Sequence, residues 1–326
     1  MKKTRENNAL NIFKFISALL IVGSHCLPLF NNNFLNLVYG QYLFRFCVPL
    51  FFISTGYYFD KSDNNKRKKF IKRIFILYVC STILYFPLFM NSGVKQIIFN
   101  CLFGYYHLWY LNAVLLGTMF IYFFDNHLEI KSKKFYFLLL LILLISGIFF
   151  DEYNKILQIH FLDKLVLFFN KFGGGRNALF FAIPMLIIGK LIHNQKRLFE
   201  INWVKYFILL IFSVIVAFLE FLFLSKKIGL DITTDITLFN FVPSILLFIL
   251  SFYLNSSLKL NDTKKMRKMA DFIYVIHIYV IFILSRLFSL LHINLFIISS
   301  FISIFLSYVI ITFFDRLKKS KKDVEI

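Results

Sequence analysis

WVKYFILLIFSVIVAFLEFLFL, residues 203–224, is an almost unbroken apolar run that contains one cation, Lys205, and one anion, Glu220. A helix of about 20 mainly apolar residues spans the hydrocarbon core of a bilayer. Buried helices of soluble proteins are built from much shorter apolar runs. The run therefore predicts a transmembrane helix, and it sets the pattern to look for in the rest of the chain.

Nine further segments have the same character, although two of them are short. The ten predicted spans cover residues 9–29, 35–59, 71–91, 105–124, 135–150, 176–192, 203–224, 237–254, 269–290 and 293–314. Hydrophobic residues make up 59% of the chain, against about 45–50% in soluble proteins. We therefore expect an all-α fold, a polytopic membrane helical bundle of about ten transmembrane helices. We also expect a single domain over residues 1–326.

The basic residues are unevenly distributed between the two sides of this bundle. The chain has 37 Lys and Arg residues against 17 Asp and Glu residues, a net charge of +20. With the N terminus inside, most basic residues fall in inner segments, as the positive-inside rule requires. We therefore expect both termini to be cytoplasmic, with residues 315–326 as a short basic tail. The richness in Lys, Phe, Ile and Asn is typical of AT-rich bacterial genomes, which favours the bacterial cytoplasmic membrane.

The composition also excludes several classes of function. The positive charge lies in membrane loops and not on a soluble basic module, so we expect no nucleic-acid partner. The four cysteines lie in or beside apolar runs without metal-ligand or disulfide-framework spacing, so we expect no metal site. Membrane lipids are the partner that the composition itself implies.

Two polar residues of the first span lie on one helical face. A charged side chain at bilayer depth costs roughly 2.5–3.5 kcal/mol on insertion scales, so such residues are retained mostly where they pair or function. Lys14 and His25 are separated by about three full helical turns, or about 16 Å along the axis. A single intramembrane histidine is often a packing residue, but a cation on the same stripe favours a functional role for His25.

The second span carries Arg45 and Pro49. Arg45 lies too deep in the predicted span to reach the interface comfortably, so it needs an anion from the protein or from a substrate. Pro49 lacks a backbone N–H and predicts a kink that frees a carbonyl near Arg45. Glu220, near the outer end of the seventh span, is the predicted protein partner of Arg45.

Further polar residues gather toward the outer half of the bundle or in the middle of a span. His107 precedes Leu108-Trp109, Arg176 opens the sixth span and Asp235 precedes the eighth. His277 lies near the middle of the ninth span, and we expect Asp271, near that span's inner end, to favour the helix dipole as a cap. A snorkelling role for Arg176 is as compatible with the sequence as a functional one.

The inner loop between the second and third spans is strongly basic, with seven Lys and Arg residues within residues 61–73. Charge alone favours two roles, anchoring this loop inside and attracting anionic lipid. The alternative is a docking surface for a phosphorylated cytoplasmic donor, to which Lys69, Lys72 and Arg73 would contribute.

These motifs together resemble the acyltransferase 3 family of membrane proteins, and the resemblance covers nearly the whole chain. They are Lys14 to His25, Arg45-Phe46-Cys47-Val48-Pro49 running into Ser54-Thr55-Gly56-Tyr57, His107-Leu108-Trp109-Tyr110-Leu111, and Tyr274-Val275-Ile276-His277. The resemblance implies acyl transfer from a cytoplasmic acyl-CoA, commonly acetyl-CoA, to an extracytoplasmic acceptor such as a cell-surface glycan.

In such an enzyme, His25 would be the general base and Arg45 would stabilise the oxyanion or orient the donor, while Glu220 would orient a base or acceptor. The predicted donor-phosphate ligands are Lys14, Lys69, Lys72 and Arg73. The predicted substrate-binding residues are His107, Arg176, Asp235 and His277. Two departures from the family pattern concern the donor side: Lys14 stands where many members have arginine, and Lys69 and Lys72 stand where two arginines often occur.

A narrower resemblance, to the membrane domain of vancomycin-resistance serine racemases, leaves an alternative open. That domain is associated with serine uptake, so the chain could be an amino-acid permease in which Arg45 binds a carboxylate and Glu220 an ammonium group. Racemase activity is not expected, because only a short basic tail follows the last span. A lipid scaffold without chemistry would explain the basic loops but not the buried polar residues.

Overall fold

The computed structural model describes residues 7–130, 132–157, 163–171, 174–195, 198, 202–229, 235–257, 263–288 and 292–324. Within these ranges the regular structure is helical, without strands. The chain divides into two compact units. Unit 1 comprises Met1–Val48 and Phe248–Ile326, and unit 2 comprises Pro49–Leu247. Each unit is described by itself.

The α-helices are α1 Asn8–Ser24, α2 Asn33–Gln41, α3 Cys47–Asp60, α4 Asn64–Phe89, α5 Val94–Phe103, α6 Trp109–Asn126, α7 Lys133–Ile148, α8 Asn154–Leu157, α9 Asp163–Asn170, α10 Ile183–His193, α11 Trp203–Ile228, α12 Val242–Ser257, α13 Lys264–Leu287 and α14 His292–Val324. Short 3-10 turns cover Leu43–Phe46 and Tyr106–Leu108, and π-helical turns cover Phe149–Tyr153 and Ala178–Ala182.

The helices confirm an all-α polytopic membrane bundle. Among the residues that the structure describes, seven helical segments are long and apolar enough to cross a membrane, and each coincides with a predicted span. The three remaining predicted spans coincide with shorter apolar helices, Asn8–Ser24, Ala178–His193 and Val242–Asn255. A fourth short apolar helix, Val94–Phe103, was not predicted. The chain is therefore a multi-pass membrane protein.

The second predicted span is interrupted and not continuous. Helix α2 ends at Gln41, the 3-10 turn Leu43–Phe46 follows, and α3 begins at Cys47. Pro49 has no N–H to donate to the carbonyl of Arg45, so a regular α-helix loses a bond at this point. The proline thus explains why the α-helix is interrupted at Arg45 and a new one, α3, begins at Cys47.

Unit 1 has its core where α1 packs against α13 and α14. Ala18 and Val22 on α1 are one turn apart and meet Ala270 and Ile273 on α13 and Ile311 on α14. At the start of α1, the Asn7 side chain accepts a hydrogen bond from Leu10 N at 3.0 Å and donates one to Ser251 Oγ at 2.8 Å. These contacts hold the face of α1 that carries Lys14 and His25 toward the other two helices.

In unit 2, α3 and α10 cross with their backbones in close contact. A Cβ atom on Gly189 would lie 2.0 Å from Ile53 O, and one on Gly56 would lie 2.1 Å from Leu186 O. Only glycine at both positions permits this approach, the small-residue packing that is typical of membrane helices. The crossing also brings together Asp60 and Lys190, which follow these glycines on α3 and α10.

Candidate functional sites

In unit 1, His25 lies beside a second histidine. His25 is the C-cap of α1 and is half-buried. Its ring centroid lies 5.2 Å from that of His277 on α13, with the rings tilted by 42°. His277 is fully buried. The structure thus places side by side two residues for which different roles were predicted: His25 as a general base and His277 as a substrate ligand.

The backbone of α13 fixes the tautomer of His277. Its Nδ1 lies 3.0 Å from Ile273 O and 2.9 Å from Tyr274 O. A carbonyl oxygen only accepts hydrogen bonds, so Nδ1 carries the proton and donates. In the neutral ring Nε2 therefore keeps its lone pair. His277 can accept a hydrogen bond at Nε2 without any change at Nδ1.

Lys14 has charged neighbours on α13. Asp271 and Arg267 both interact electrostatically with the Lys14 ammonium group. The expectation that Asp271 caps a helix is wrong, because α13 begins at Lys264 and Asp271 lies about two turns inside it. Asp271 instead supplies negative charge on the helix packed against α1.

Arg45 is buried in the 3-10 turn between α2 and α3. Its guanidinium donates to Gln41 Oε1 and lies over the Phe44 ring, with the Cζ atom 4.7 Å from the ring centroid. Both contacts lie within unit 1. The pairing of Arg45 with Glu220 stays a prediction.

In unit 2, Glu220 on α11 holds the residues that precede α12. Its Oε1 accepts from Tyr153 Oη at 2.6 Å and from Leu238 N at 2.8 Å. Its Oε2 accepts from Thr237 Oγ1 at 2.8 Å and from Phe239 N at 2.9 Å. Burial and the hydrogen bond to Glu220 raise the pKa of Tyr153, which keeps its hydroxyl a donor. Glu220 therefore positions a loop.

Asp235, in the same loop, forms an ion pair with Arg176. Both residues were predicted from the sequence to bind substrate. Arg176 Nη2 lies 2.6 Å from Asp235 Oδ1, and the Arg176 guanidinium lies 5.8 Å from the Trp109 ring centroid. Asp151 Oδ2 accepts from Ile236 N at 2.9 Å and so anchors the residue after Asp235. Arg176 and Asp235, 59 positions apart, are thus brought together.

His107 lies in the 3-10 turn before α6 and is buried. Its ring centroid is 4.9 Å from that of Tyr85, in an edge-to-face arrangement. The preceding residue, Tyr106, has a φ of 51°, in the left-handed region that non-glycine residues seldom adopt. Such backbone conformations cluster at functional sites, which is compatible with the predicted role of His107 in substrate binding.

The three predicted donor ligands of the inner loop lie in the first turns of α4. Lys69, Lys72 and Arg73 are exposed, and the Arg73 guanidinium lies 6.0 Å from the Phe70 ring centroid. They are called the cationic face of α4 below.

Sequence reasoning missed a set of four charged residues, Asp60, Arg67, Asp125 and Lys190, called the buried ion cluster below. Their side chains are at most 10% exposed. Lys190 Nζ lies 2.7 Å from Asp60 Oδ1 and 2.8 Å from Asp125 Oδ2. Arg67 Nη1 lies 2.9 Å from Asp125 Oδ2, and its Nη2 lies 3.3 Å from Asp60 Oδ1. Two carboxylates thus balance two cations.

A tyrosine, a histidine and an asparagine make further hydrogen bonds to these two carboxylates. Tyr136 Oη donates to Asp125 Oδ1 at 2.6 Å. His193 Nδ1 lies 2.8 Å from Asp60 Oδ2, and Asn194 Nδ2 donates to the same oxygen at 3.0 Å. The His193 side chain is 28% exposed. The contacts therefore tie together α3, α4, α6, α7 and α10.

Arg67 was counted from the sequence among the seven basic residues of the inner loop, and no buried partner was predicted for it. A signal was present in the spacing of α4. Ile74, Tyr78 and Ser81 are buried and follow Arg67 by 7, 11 and 14 positions, which is one face of a helix. Arg67 is the first residue of that buried face, whereas the basic residues next to it lie on other sides of the helix.

Comparisons with known proteins cover most of the chain. Residues 7–314 match the family described as an acyltransferase domain. The chain is similar to an amino-acid racemase of Enterococcus faecalis, with 25% identity over 97% of this chain and 48% of that protein. It is also similar to a serine/alanine racemase of Enterococcus gallinarum, with 25% identity over 75% of this chain and 36% of that protein.

The chain thus spans about half the length, or less, of these curated relatives. No solved structure matches it. Within the described ranges, no group of three or more His, Cys, Asp or Glu residues is placed to hold a metal ion.

Proposed function

The chain belongs to the acyltransferase domain family, and on that basis we propose that it is a membrane-bound enzyme that transfers an acyl group. The match over residues 7–314 carries this proposal, because it includes every predicted span. The proposed donor is a cytoplasmic acyl-CoA, acetyl-CoA in the first instance. The proposed acceptor is a hydroxyl of a cell-surface glycan or a related envelope component.

His25 is the proposed general base. An imidazole has an ordinary pKa of about 6.5, which suits proton transfer near neutral pH. His25 takes the proton of the acceptor hydroxyl while the oxygen attacks the thioester carbonyl. The tetrahedral intermediate then collapses, the C–S bond breaks, and the departing thiolate takes the proton from the imidazolium. The neighbouring His277 supports this role, because its Nε2 lone pair lies on a ring 5.2 Å from that of His25.

Arg45 is proposed to stabilise the oxyanion or to orient the donor. A guanidinium is always charged and presents several donors in a fixed plane, which suits a developing negative charge. Its burial supports this proposal, since a charge in a desolvated site interacts more strongly than one in water. Lys14 and the cationic face of α4 are the proposed ligands of the donor phosphates.

The remaining polar residues are proposed to serve the acceptor. Glu220 holds residues 237–239 in place, and Arg176 pairs with Asp235, which lies in the same loop. Sugar hydroxyls are recognised by such fixed donors and acceptors. His107 and His277 are proposed to contribute further contacts to substrate.

The proposal is tested by following radiolabelled acetyl groups from acetyl-CoA to envelope glycans in membranes that contain the full chain. Removing a general base lowers the rate by about 100-fold or more, so His25→Ala should abolish detectable transfer while folding is kept. His127→Ala is the matched control, because His127 is an exposed histidine stacked on Phe123.

Transfer at the wild-type rate by His25→Ala would refute the assignment of the base. The permease alternative is measured beside it, as uptake of radiolabelled serine into proteoliposomes. Robust serine uptake without acetyl transfer or acetyl-CoA binding would overturn the proposed function.

A further inference from the structure

Arg67 differs from the basic residues around it because its side chain binds the end of the preceding helix. Its Nε donates to Phe59 O at 2.9 Å and to Ser62 O at 3.1 Å, and its Nη2 donates to Asp60 O at 2.8 Å. Carbonyls at a helix end lack intrahelical partners. Arg67 thus caps α3 from within α4 and fixes the short turn between the two helices.

The same side chain fixes the rotation of α4 about its axis. Helical residues are spaced by about 100°. Measured from Arg67, Lys72 therefore lies at about 140°, Lys69 at about 200° and Arg73 at about 240°. The cationic face of α4 thus lies opposite the side on which Arg67 is buried. The contacts that hold Arg67 therefore also determine the direction in which the cationic face is oriented.

Asp125 binds Arg67 directly from α6, and Lys190 on α10 binds the two carboxylates that pair with Arg67. Asp125 on α6 accepts from Arg67 Nη1 at 2.9 Å and from Lys190 Nζ at 2.8 Å. Lys190 in turn binds Asp60 at the end of α3. Because the cluster is buried and its formal charges balance, it contributes little net charge to attract an anion. Its effect on a ligand must come through geometry.

We infer that the buried ion cluster positions the cationic face of α4 for the polyanionic part of the acyl donor. Arg67, Asp125, Lys190 and Asp60 are positioning residues, whereas Lys69, Lys72 and Arg73 touch the donor phosphates. This inference rests on the proposed function, since it concerns the donor site of that reaction.

Asp125→Asn separates positioning from simple electrostatics. The substitution removes a negative charge, so by charge alone it would tighten the binding of an anion. If the cluster positions the cationic face, binding weakens instead. The matched control is Asp315→Asn, because Asp315 also pairs with a lysine, Lys268, at 2.7 Å, but on the surface.

The measurement is calorimetric titration of the full chain in detergent with coenzyme A, at low and high salt. For Asp125→Asn we expect the Kd to rise about tenfold, which corresponds to about 1.4 kcal/mol. We expect its salt dependence to become shallower, since fewer cations meet the phosphates. The stoichiometry reports the folded fraction and should stay at the wild-type value. Asp315→Asn should leave the Kd unchanged.

An unchanged or lower Kd for Asp125→Asn would overturn the inference, and so would a reduced stoichiometry at the wild-type Kd, which is the signature of a purely structural role. If Asp125→Asn does not fold, Arg67→Lys decides the matter. It keeps the charge but loses the fork of donors, and a wild-type Kd would overturn the inference. Failure of the wild-type chain to bind coenzyme A would instead refute the proposed donor.

Discussion

Lys190 Nζ lies 2.8 Å from Asp125 Oδ2, although the two residues are 65 positions apart and belong to different helices. The same ammonium group lies 2.7 Å from Asp60 Oδ1. Desolvation makes a buried pair of this kind costly to form and more costly to break, because removal of one partner leaves an uncompensated charge. Lys190 therefore links three helices at one end of unit 2.

Lys190→Met should destabilise the protein strongly, since it leaves two carboxylates with Arg67 as their remaining charged partner in the buried ion cluster. Breaking a buried pair costs about 3–5 kcal/mol. Lys268→Met breaks an exposed pair with Asp315 and should cost at most about 1 kcal/mol. Thermal unfolding of both variants in detergent measures the difference. Equal shifts in Tm would show that burial of the cluster adds nothing.

Gly189→Ala should also destabilise unit 2, because the new methyl group would meet the backbone of α3 at Ile53 O. The helices must then separate, and overpacking of this kind costs about 1–3 kcal/mol. Gly40→Ala is the comparison, because its methyl group would meet mainly the flexible end of Leu27. Unfolding temperatures test this. A milder effect at Gly189 than at Gly40 would contradict the close crossing.

Glu220→Gln should destabilise the loop at 237–239. Each carboxylate oxygen of Glu220 accepts two hydrogen bonds. In glutamine, one of these oxygens is replaced by an NH₂ group, which cannot accept any. Each buried donor left unsatisfied costs about 1–3 kcal/mol. Tyr153→Phe removes only one of the four bonds and should cost less. Limited proteolysis of this loop, compared between the two variants, gives the order of their effects.

Neutralising the cationic face of α4 should weaken donor binding. The triple variant Lys69→Gln, Lys72→Gln, Arg73→Gln loses three exposed charges, and the loss should shrink at high salt because screening shortens the range of such charges. The control neutralises three other exposed lysines, Lys134, Lys205 and Lys264. Acetyl-CoA titrations compare the two triple variants. The same Kd for both would argue against a specific donor surface.

His277→Phe should lower acetyl transfer without affecting acetyl-CoA binding. An aromatic ring is kept, but the Nε2 lone pair, on a ring whose centroid is 5.2 Å from that of His25, is lost. Activity of the purified variant is compared with its Kd for acetyl-CoA, and His127→Phe serves as the control for loss of an exposed histidine. Wild-type transfer by His277→Phe would remove this residue from the reaction.

The sequence by itself determined the membrane class and most helix positions, because a bilayer demands apolar runs of a set length wherever they lie in the chain. Helix α11 begins with the apolar run at 203–224 and ends four residues beyond it, at Ile228. The association of the predicted spans with an acyltransferase also followed from local motifs, such as the one ending in His277.

The tertiary structure decided what packing and distant pairing control. The bond between Lys190 and Asp60 joins residues 130 positions apart, and no local pattern reports the rotation that brings two helices face to face. Asp271 was taken for a cap because the predicted span began with the apolar run at residue 269, whereas α13 begins five residues earlier, at Lys264. Arg67 was not recognised among the other basic residues of the loop, since its pairing with Asp125, 58 positions away, forms only in the folded chain.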